Sequence, residues 1–265
     1  MTRSGMLVLM TDPRGQEEPY LERGRIEKES TNRIIVTCQE ESGPARRPIH
    51  ALVYGPSGTG KTHFAAGFPS GGRIEIRRFV DPVPKSPSAL ESLNAFLDGG
   101  KHEPFGTIVL DGLTGVVQAG VLYARYRLNN PDARSWRYAA SDELEQGILP
   151  RLSNFVGDLV VIAHLDFKPK DAAGNQMFFP AVPGQLAMRL SGYFPEVYRS
   201  YAETDDSTTA YRLQTRSDDD YACKSLICKA RNGVRNSYDA LWKDARNGGL
   251  LRQSKTVSKE GGLAK

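Results

Sequence analysis

Cysteine is scarce in this chain of 265 residues, with only Cys38, Cys223 and Cys228. No pair of them forms a CxxC or a metal-ligand spacing, so neither a disulfide scaffold nor a zinc site is expected. The sparse, odd set reads as reduced thiols packed as small hydrophobes. Long apolar runs are also missing. No stretch approaches the ~18 residues of a membrane span. The run Met6–Met10 is too short for a signal peptide and is soon followed by proline and charge. No membrane partner and a cytoplasmic location are therefore expected. Internal repeats are absent, and so is any large excess of one charge, the net value being +4.

What is present describes an ordinary globular protein. Hydrophobic residues make up 39% and charged residues 25%, which excludes collagen-like, fully disordered and disulfide-scaffold chains. The length suits one large domain or two small ones and is ample for a buried core. Basic and acidic residues balance through residue 165. The whole excess lies beyond it, and from Lys224 onward the chain carries ten basic and three acidic residues. Such a stretch can attract nucleic acid or acidic lipid, or can simply be a solvated tail.

Along the chain, residues 1–48 read as an irregular arm rich in Gly, Pro, Glu and Arg, except for one β-branched run at 33–39. That strand either edges its own sheet or docks on a neighbouring subunit. From residue 49 to 240 apolar strands alternate with helical stretches. Strands are expected at 50–54, 73–80, 105–112 and 158–164, and helices at 61–68, from Ser88, at 115–126 and at 141–156. A short helix is expected at 184–192, then antiparallel strands through VYRSYAE, TTAYRLQT and YACKSLICKA, with the acidic run 218–220 as a hairpin turn. Residues 241–265 read as a basic flexible tail. This order predicts an α/β fold of three layers around a mostly parallel sheet, with a C-terminal antiparallel extension.

The strongest motif is Gly55-Pro56-Ser57-Gly58-Thr59-Gly60-Lys61-Thr62. It fits GxxxxGK[ST], follows an apolar strand and opens a helix, the context of a phosphate-binding loop. Its glycines let successive backbone N–H groups face phosphates. Lys61 can reach the β- and γ-phosphates, and the Thr62 hydroxyl can ligate Mg²⁺. The strand Ile108–Leu110 closes on Asp111, an acid suited to the Mg²⁺ shell. His164 closes the strand 158–164 and can sense a γ-phosphate by hydrogen bonding. ATP and Mg²⁺ are the cofactors expected. No NKxD guanine-reading motif occurs, which favours ATP over GTP, and there is no evident lid of a small-molecule kinase.

Two segments combine cations with aromatic rings. One holds Arg125, Arg127, Arg134, Trp136, Arg137 and Tyr138; the other holds Lys168, Lys170, Phe178 and Phe179. Cations neutralise phosphates and rings offer faces to unpaired bases. The same residues also read as core aromatics with solvated charges. Lys229 and Arg231, two apart, share one side of an extended chain. They read either as a phosphate-contacting pair or as two solvated charges.

The order of these parts resembles the RecA-like recombinase core. It is most similar to phage-encoded, core-only RecA-like ATPases of the single-strand annealing type, a phage nucleotide-binding AAA-domain family. GPSGTGKT, TIVLDGLTG and VVIAH carry the resemblance, supported by PGQLAMRLSGYFPEVYR and YRLQTRSDDDYACKSLICKARNG, over roughly residues 50–235. It implies that residues 127–140 and 165–183 match two DNA-binding loops. It implies that Lys229 and Arg231 reach a neighbouring subunit's nucleotide, hence a filament or ring of identical subunits. It further implies single-stranded DNA as partner, an associated single-strand-binding protein and the cytoplasm of a bacterial host. Recombinases of this kind place a catalytic Glu after the helix that follows the phosphate-binding loop. Here the candidates are Glu75 and Asp81, neither in a convincing context, so hydrolysis is expected to be slow. The leading expectation is thus an ATP-hydrolysing, single-stranded-DNA-binding recombination or annealing protein. The alternatives are a motor or helicase loader that acts mainly on a protein, and a scaffold that binds ATP without hydrolysing it.

Overall fold

The computed structural model describes residues 4–13, 16–39, 47–167, 176–205, 207–229 and 233–248. In chain order the strands are β1 (Met6–Met10), β2 (Gly24–Ser30), β3 (Arg33–Cys38), β4 (His50–Gly55), β5 (Arg73–Arg78), β6 (Thr107–Asp111), β7 (Asp158–Phe167), β8 (Phe178–Pro180), β9 (Glu196–Thr204), β10 (Thr209–Gln214) and β11 (Val234–Arg235). The helices are α1 (Glu18–Leu21), α2 (Lys61–Ala66), α3 (Ala89–Asp98), α4 (Leu113–Tyr126), α5 (Ala133–Asp142), α6 (Leu149–Ser153), α7 (Leu186–Arg189) and α8 (Tyr238–Gly248). A π-helical turn, Glu143–Ile148, joins α5 to α6.

The sheet runs β11-β10-β9-β4-β7-β6-β1-β5-β3-β2, with β8 added to β7. The strands from β9 to β5 are parallel. Both ends of the sheet, and β8, are antiparallel. The central strands are short apolar runs because both of their faces are covered. One face packs against α3 to α7 through residues such as Leu93, Val116, Leu144 and Leu186. The other packs against α1, α2 and α8 through Tyr20, Phe64, Leu241 and Trp242. This is the three-layer α/β fold with a mostly parallel sheet and a C-terminal antiparallel extension.

Three expectations need correction. Residues 1–48 are not an irregular arm, because β1 sits between β5 and β6 with Met6–Met10 at most 2% exposed. Burying each such side chain contributes about 1.5–3 kcal/mol, enough to draw a five-residue run into the sheet centre. β3 pairs with β5 and with β2 of the same chain, so no break in the sheet separates these residues from those after 48. Nor does the tail begin at 241, since α8 buries Leu241, Trp242 and Ala245; residues 249–265 lie outside the described ones.

YACKSLICKA is not a regular strand. It makes isolated bridges at Tyr221 and Lys224. The buried Glu196 carboxylate instead ties it down, accepting from Ser225 Oγ at 2.5 Å and from the Leu226 N–H at 2.9 Å. The hairpin β9–β10 turns at Asp205, whose carboxylate accepts the Ser207 and Thr208 N–H groups, and residues 218–220 turn as expected, the Asp218 carboxylate accepting the Asp220 and Tyr221 N–H groups.

Candidate functional site

β4 delivers the chain to the phosphate-binding loop, and α2 carries it away. Gly58 and Gly60 take left-handed backbone, with φ of 76° and 81°, which curls the loop around its N–H groups. Thr59 is buried. Its carbonyl accepts from Ser200 Oγ at 2.6 Å and from Asn236 Nδ2 at 2.8 Å. The loop is therefore clamped by β9 and by the turn after β11. Lys61 is only 6% exposed. Its Nζ donates to the Gly55 carbonyl at 3.0 Å and to the Pro56 carbonyl at 2.6 Å. Burial pulls its pKa down to about 8, against the opposing charge of Asp111.

Asp111 closes β6 and is buried. Burial pushes its carboxyl up to about 6, while hydrogen bonds from Tyr20 and Thr62 and the charge of Lys61 act against that rise. Thr62 and Asp111 thus already meet, as two oxygen groups that share a cation would. Among the described residues no cluster of three or more His, Cys, Asp or Glu could hold a metal alone. A magnesium ion, which takes one or two protein oxygens plus substrate phosphates, fits such a donor set.

Tyr20 is fully buried on α1, and its hydroxyl donates to Asp111 Oδ2 at 2.9 Å. Burial and the neighbouring carboxylate push its pKa well above the usual phenol value, so it stays a donor. Tyr20→Phe removes that donor from a buried carboxylate. It is expected to lower stability by roughly 1.5–3 kcal/mol, read as a lower midpoint of urea unfolding at neutral pH.

A second carboxylate stands beside Asp111. The register pairs Met10 with Asp111, so Asp12 lies two residues past that pair. Its Oδ2 is 3.0 Å from His164 Nε2. The approach depends on two glycines of the DGLTG segment. Gly112 has φ of 109°, and a Cβ on Gly115 would lie 2.2 Å from the Thr11 carbonyl oxygen. Any side chain at 115 would force the turn carrying Asp12 away from β6.

These groups line one cleft of about 870 Å³ at the carboxyl ends of the parallel strands. Asp12, Lys61, Thr62, Asp111 and His164 line it, together with Tyr211, Arg235 and Asn236.

Other expected residues lie elsewhere. Glu75 is not in the cleft wall. It is buried on β5 and bridged to Arg33, Arg73 and Arg77 at 2.9, 2.6 and 2.5 Å. Burial would raise its pKa, but the hydrogen bonds from Arg33 and Arg77 hold it below the usual carboxylate range. A carboxylate so neutralised is no base. Asp81 instead accepts the Ser88 and Ala89 N–H groups at the start of α3. Lys229 is exposed and outside the cleft wall, its N–H bonded to Asp244. Arg231, Lys168 and Lys170 lie outside the described residues.

The first basic segment is mostly helix rather than loop. Asp132 caps α5 by accepting the Arg134 N–H at 3.0 Å. Trp136 faces inward: its Nε1 donates to the Asn130 carbonyl and the Arg125 guanidinium lies 4.9 Å from its ring centre. Arg127 pairs with Glu91 at 3.2 Å. Arg134, Arg137 and the 70% exposed Tyr138 share the outer face of α5. At the base of the second segment Phe178 stacks on Tyr221, with Arg199 3.5 Å from that ring centre, while Phe167 stays 60% exposed.

Asp12, Tyr20, Tyr211 and Asn236 were not anticipated. For Asp12 a signal existed, because MLVLMTD repeats the apolar-run-then-acid pattern of TIVLDG.

No protein-family model matches the chain, and no curated protein matches it. Among solved structures, a KaiC-like protein, PH0186, from the hyperthermophilic archaeon Pyrococcus horikoshii is similar at 12% identity and a TM-score of 0.35, over 64% of this chain and 78% of that one. The RadB recombinase is similar at 12% identity and a TM-score of 0.29, over 80% and 81%. The fold stands on its own strand order rather than on these likenesses.

Proposed function

We propose that this protein binds and hydrolyses ATP and uses it to load on single-stranded DNA, as a recombination or annealing protein of RecA-like, phage type. One observation carries the reading: a glycine-curled loop with a buried lysine opens into the same cleft as a buried acid bonded to Thr62. A cleft that joins backbone N–H groups, a cation and a carboxylate–hydroxyl pair suits a polyphosphate with its cation. Thr62 and Asp111 would hold Mg²⁺, which would supply neutralisation of the phosphate charge. Lys61 would exchange the Gly55 and Pro56 carbonyls for phosphate oxygens. Tyr211, 44% exposed and beside Gly60 of the loop, offers a ring face to the base.

The DNA reading rests on the outer face of α5, with Arg134, Arg137 and Tyr138, and on Phe167 beside the second segment, where Lys168 and Lys170 add charge. α4 follows Asp111 and β7 carries His164, so nucleotide state can reach both regions along single elements. Assembly into an oligomer with nucleotide at subunit interfaces is part of the same reading, with Lys229 and Arg231 acting on a neighbour's nucleotide.

The test is binding to a fluorescent single-stranded oligonucleotide with ATP, with ADP and without nucleotide. Tighter binding with ATP, weakened by Arg134→Ala/Arg137→Ala and falling with salt, is expected. Binding indifferent to nucleotide and to these arginines would redirect the reading to a motor or loader with a protein partner.

A further inference from the structure

We propose that the open face of β2, β3 and β5 is a docking surface for the phosphate backbone of a nucleic-acid duplex, apart from the ATP cleft. β5 is the fourth strand from β4 in the sheet order. At ~4.8 Å per strand it lies about 19 Å from the strand that delivers the phosphate-binding loop. The inference needs no bound nucleotide and does not rest on the ATPase reading.

Residues opposite one another on paired strands share a face. β3 sets Thr37 opposite Arg73, Ile35 opposite Glu75 and Arg33 opposite Arg77 of β5. β2 sets Arg25 opposite Thr37, Lys28 opposite Ile35 and Ser30 opposite Arg33. The face is thus a grid of three rows, in which Arg25, Lys28, Arg33, Arg73 and Arg77 surround Glu75. A register shift between Ile26 and Lys28 decides part of this. Without it Glu27 would stand opposite Ile35; with it Lys28 does. The other face of β3 and β5 carries Ile34, Val36, Ile74 and Ile76, all buried in the core. The grid face lies open: every residue of β2 is exposed, and so are Thr37 and Arg73.

Glu75 holds the grid in place. Its carboxylate is buried and accepts from Arg33, Arg73 and Arg77. Three cations on one anion leave a surplus of two positive charges. A guanidinium has five N–H donors, and Glu75 takes one or two from each, so donors remain on all three. Side chains already fixed lose little freedom when a ligand arrives. Rows stand about 7 Å apart along the strands, and the grid from Arg73 to Arg77 is about 14 Å long. A duplex carries one negative charge per ~1.7 Å of its axis, so several phosphates fall within that length. The grid has no aromatic ring on which an unpaired base could stack. What it offers is contact with the backbone alone, and a duplex presents the denser row of phosphates.

The test is binding of a fluorescent DNA duplex to the full chain, without nucleotide, over a series of salt concentrations. Arg25→Ala/Lys28→Ala is expected to weaken binding by about tenfold. It should also cut the slope of log affinity against log salt by about 2, since each phosphate contact contributes about 0.9. Both side chains are exposed on an edge strand, so the thermal midpoint should hold. Arg73→Ala, as a second variant, should lower the slope by about 1. Unchanged affinity and slope in both variants would overturn the proposal. Tighter binding of a poly-glutamate peptide than of the duplex would overturn it too, and would give the face to an acidic protein. Duplex binding with the expected slopes, by a wild type that hydrolyses no ATP, would sink the ATPase reading and uphold this one.

Discussion

Lys61→Ala is expected to weaken ATP binding by thirty-fold or more, the equivalent of roughly 2–5 kcal/mol for removing one partner of a buried charge contact. The ammonium is 6% exposed and already aimed into the loop, where two carbonyls hold it. Phosphate oxygens would replace those carbonyls with full negative charge. The fold should not suffer alongside. A lysine whose folded pKa is depressed to about 8 contributes stability above its unfolded value, lost as pH falls through the folded one. At neutral pH the buried charge therefore opposes folding, and alanine removes that opposition. Equilibrium titration of a fluorescent ATP analogue, beside a thermal melt without nucleotide, reads both effects. Lost binding with an unchanged or higher melting temperature is the expected pair.

Asp111→Asn should separate activity from stability in the same way. The carboxyl is buried and its folded pKa is raised to about 6. A raised carboxylate pKa means that the folded state holds its proton more tightly. Its contribution to stability is fully present below the unfolded pKa and is lost as pH rises through about 6. At pH 8 the wild type therefore carries a buried charge that asparagine lacks, worth about 3 kcal/mol. Tyr20 can still donate to the amide oxygen. The variant is expected to be more stable than wild type at pH 8, to lose that advantage near pH 4, and to hydrolyse ATP far more slowly. Urea unfolding at the two pH values and a phosphate-release assay measure the three outcomes. Equal stability at both pH values would mean that Asp111 is not under this strain.

The segments legible in the sequence are those whose local pattern matches their final environment. β4, β6 and β7 are apolar runs of strand length that end in Gly55, Asp111 and the His164 region, and the loop between β4 and α2 has its own spacing. β1 has the same apolar character but stands between a charged N-terminus and the run DPRGQEEP. Nothing local says that it crosses into the middle of the sheet, between β5 and β6, which begin only at Arg73 and Thr107. Asp12 was hidden with it, since its meaning comes from lying beside Asp111. Glu75 misled for the converse reason: it follows α2 in order, but Arg33, Arg73 and Arg77 neutralise it, and that pairing is set by the β3–β5 register. Tyr20 and Asn236 act through single long-range bonds to Asp111 and Thr59, which no spacing announces. The acidic run at 218–220 looked like a turn and contains one, but a buried glutamate on β9, rather than a ladder, holds residues 225 and 226 in place.

The most direct test of the central claim is the steady-state rate of ATP hydrolysis with Mg²⁺, measured with and without single-stranded DNA on the wild type and on Lys61→Ala. Hydrolysis that single-stranded DNA stimulates, and that the variant lacks under both conditions, is the predicted result. Hydrolysis that survives in Lys61→Ala, or no hydrolysis by the wild type in either condition, would contradict the assignment of this cleft.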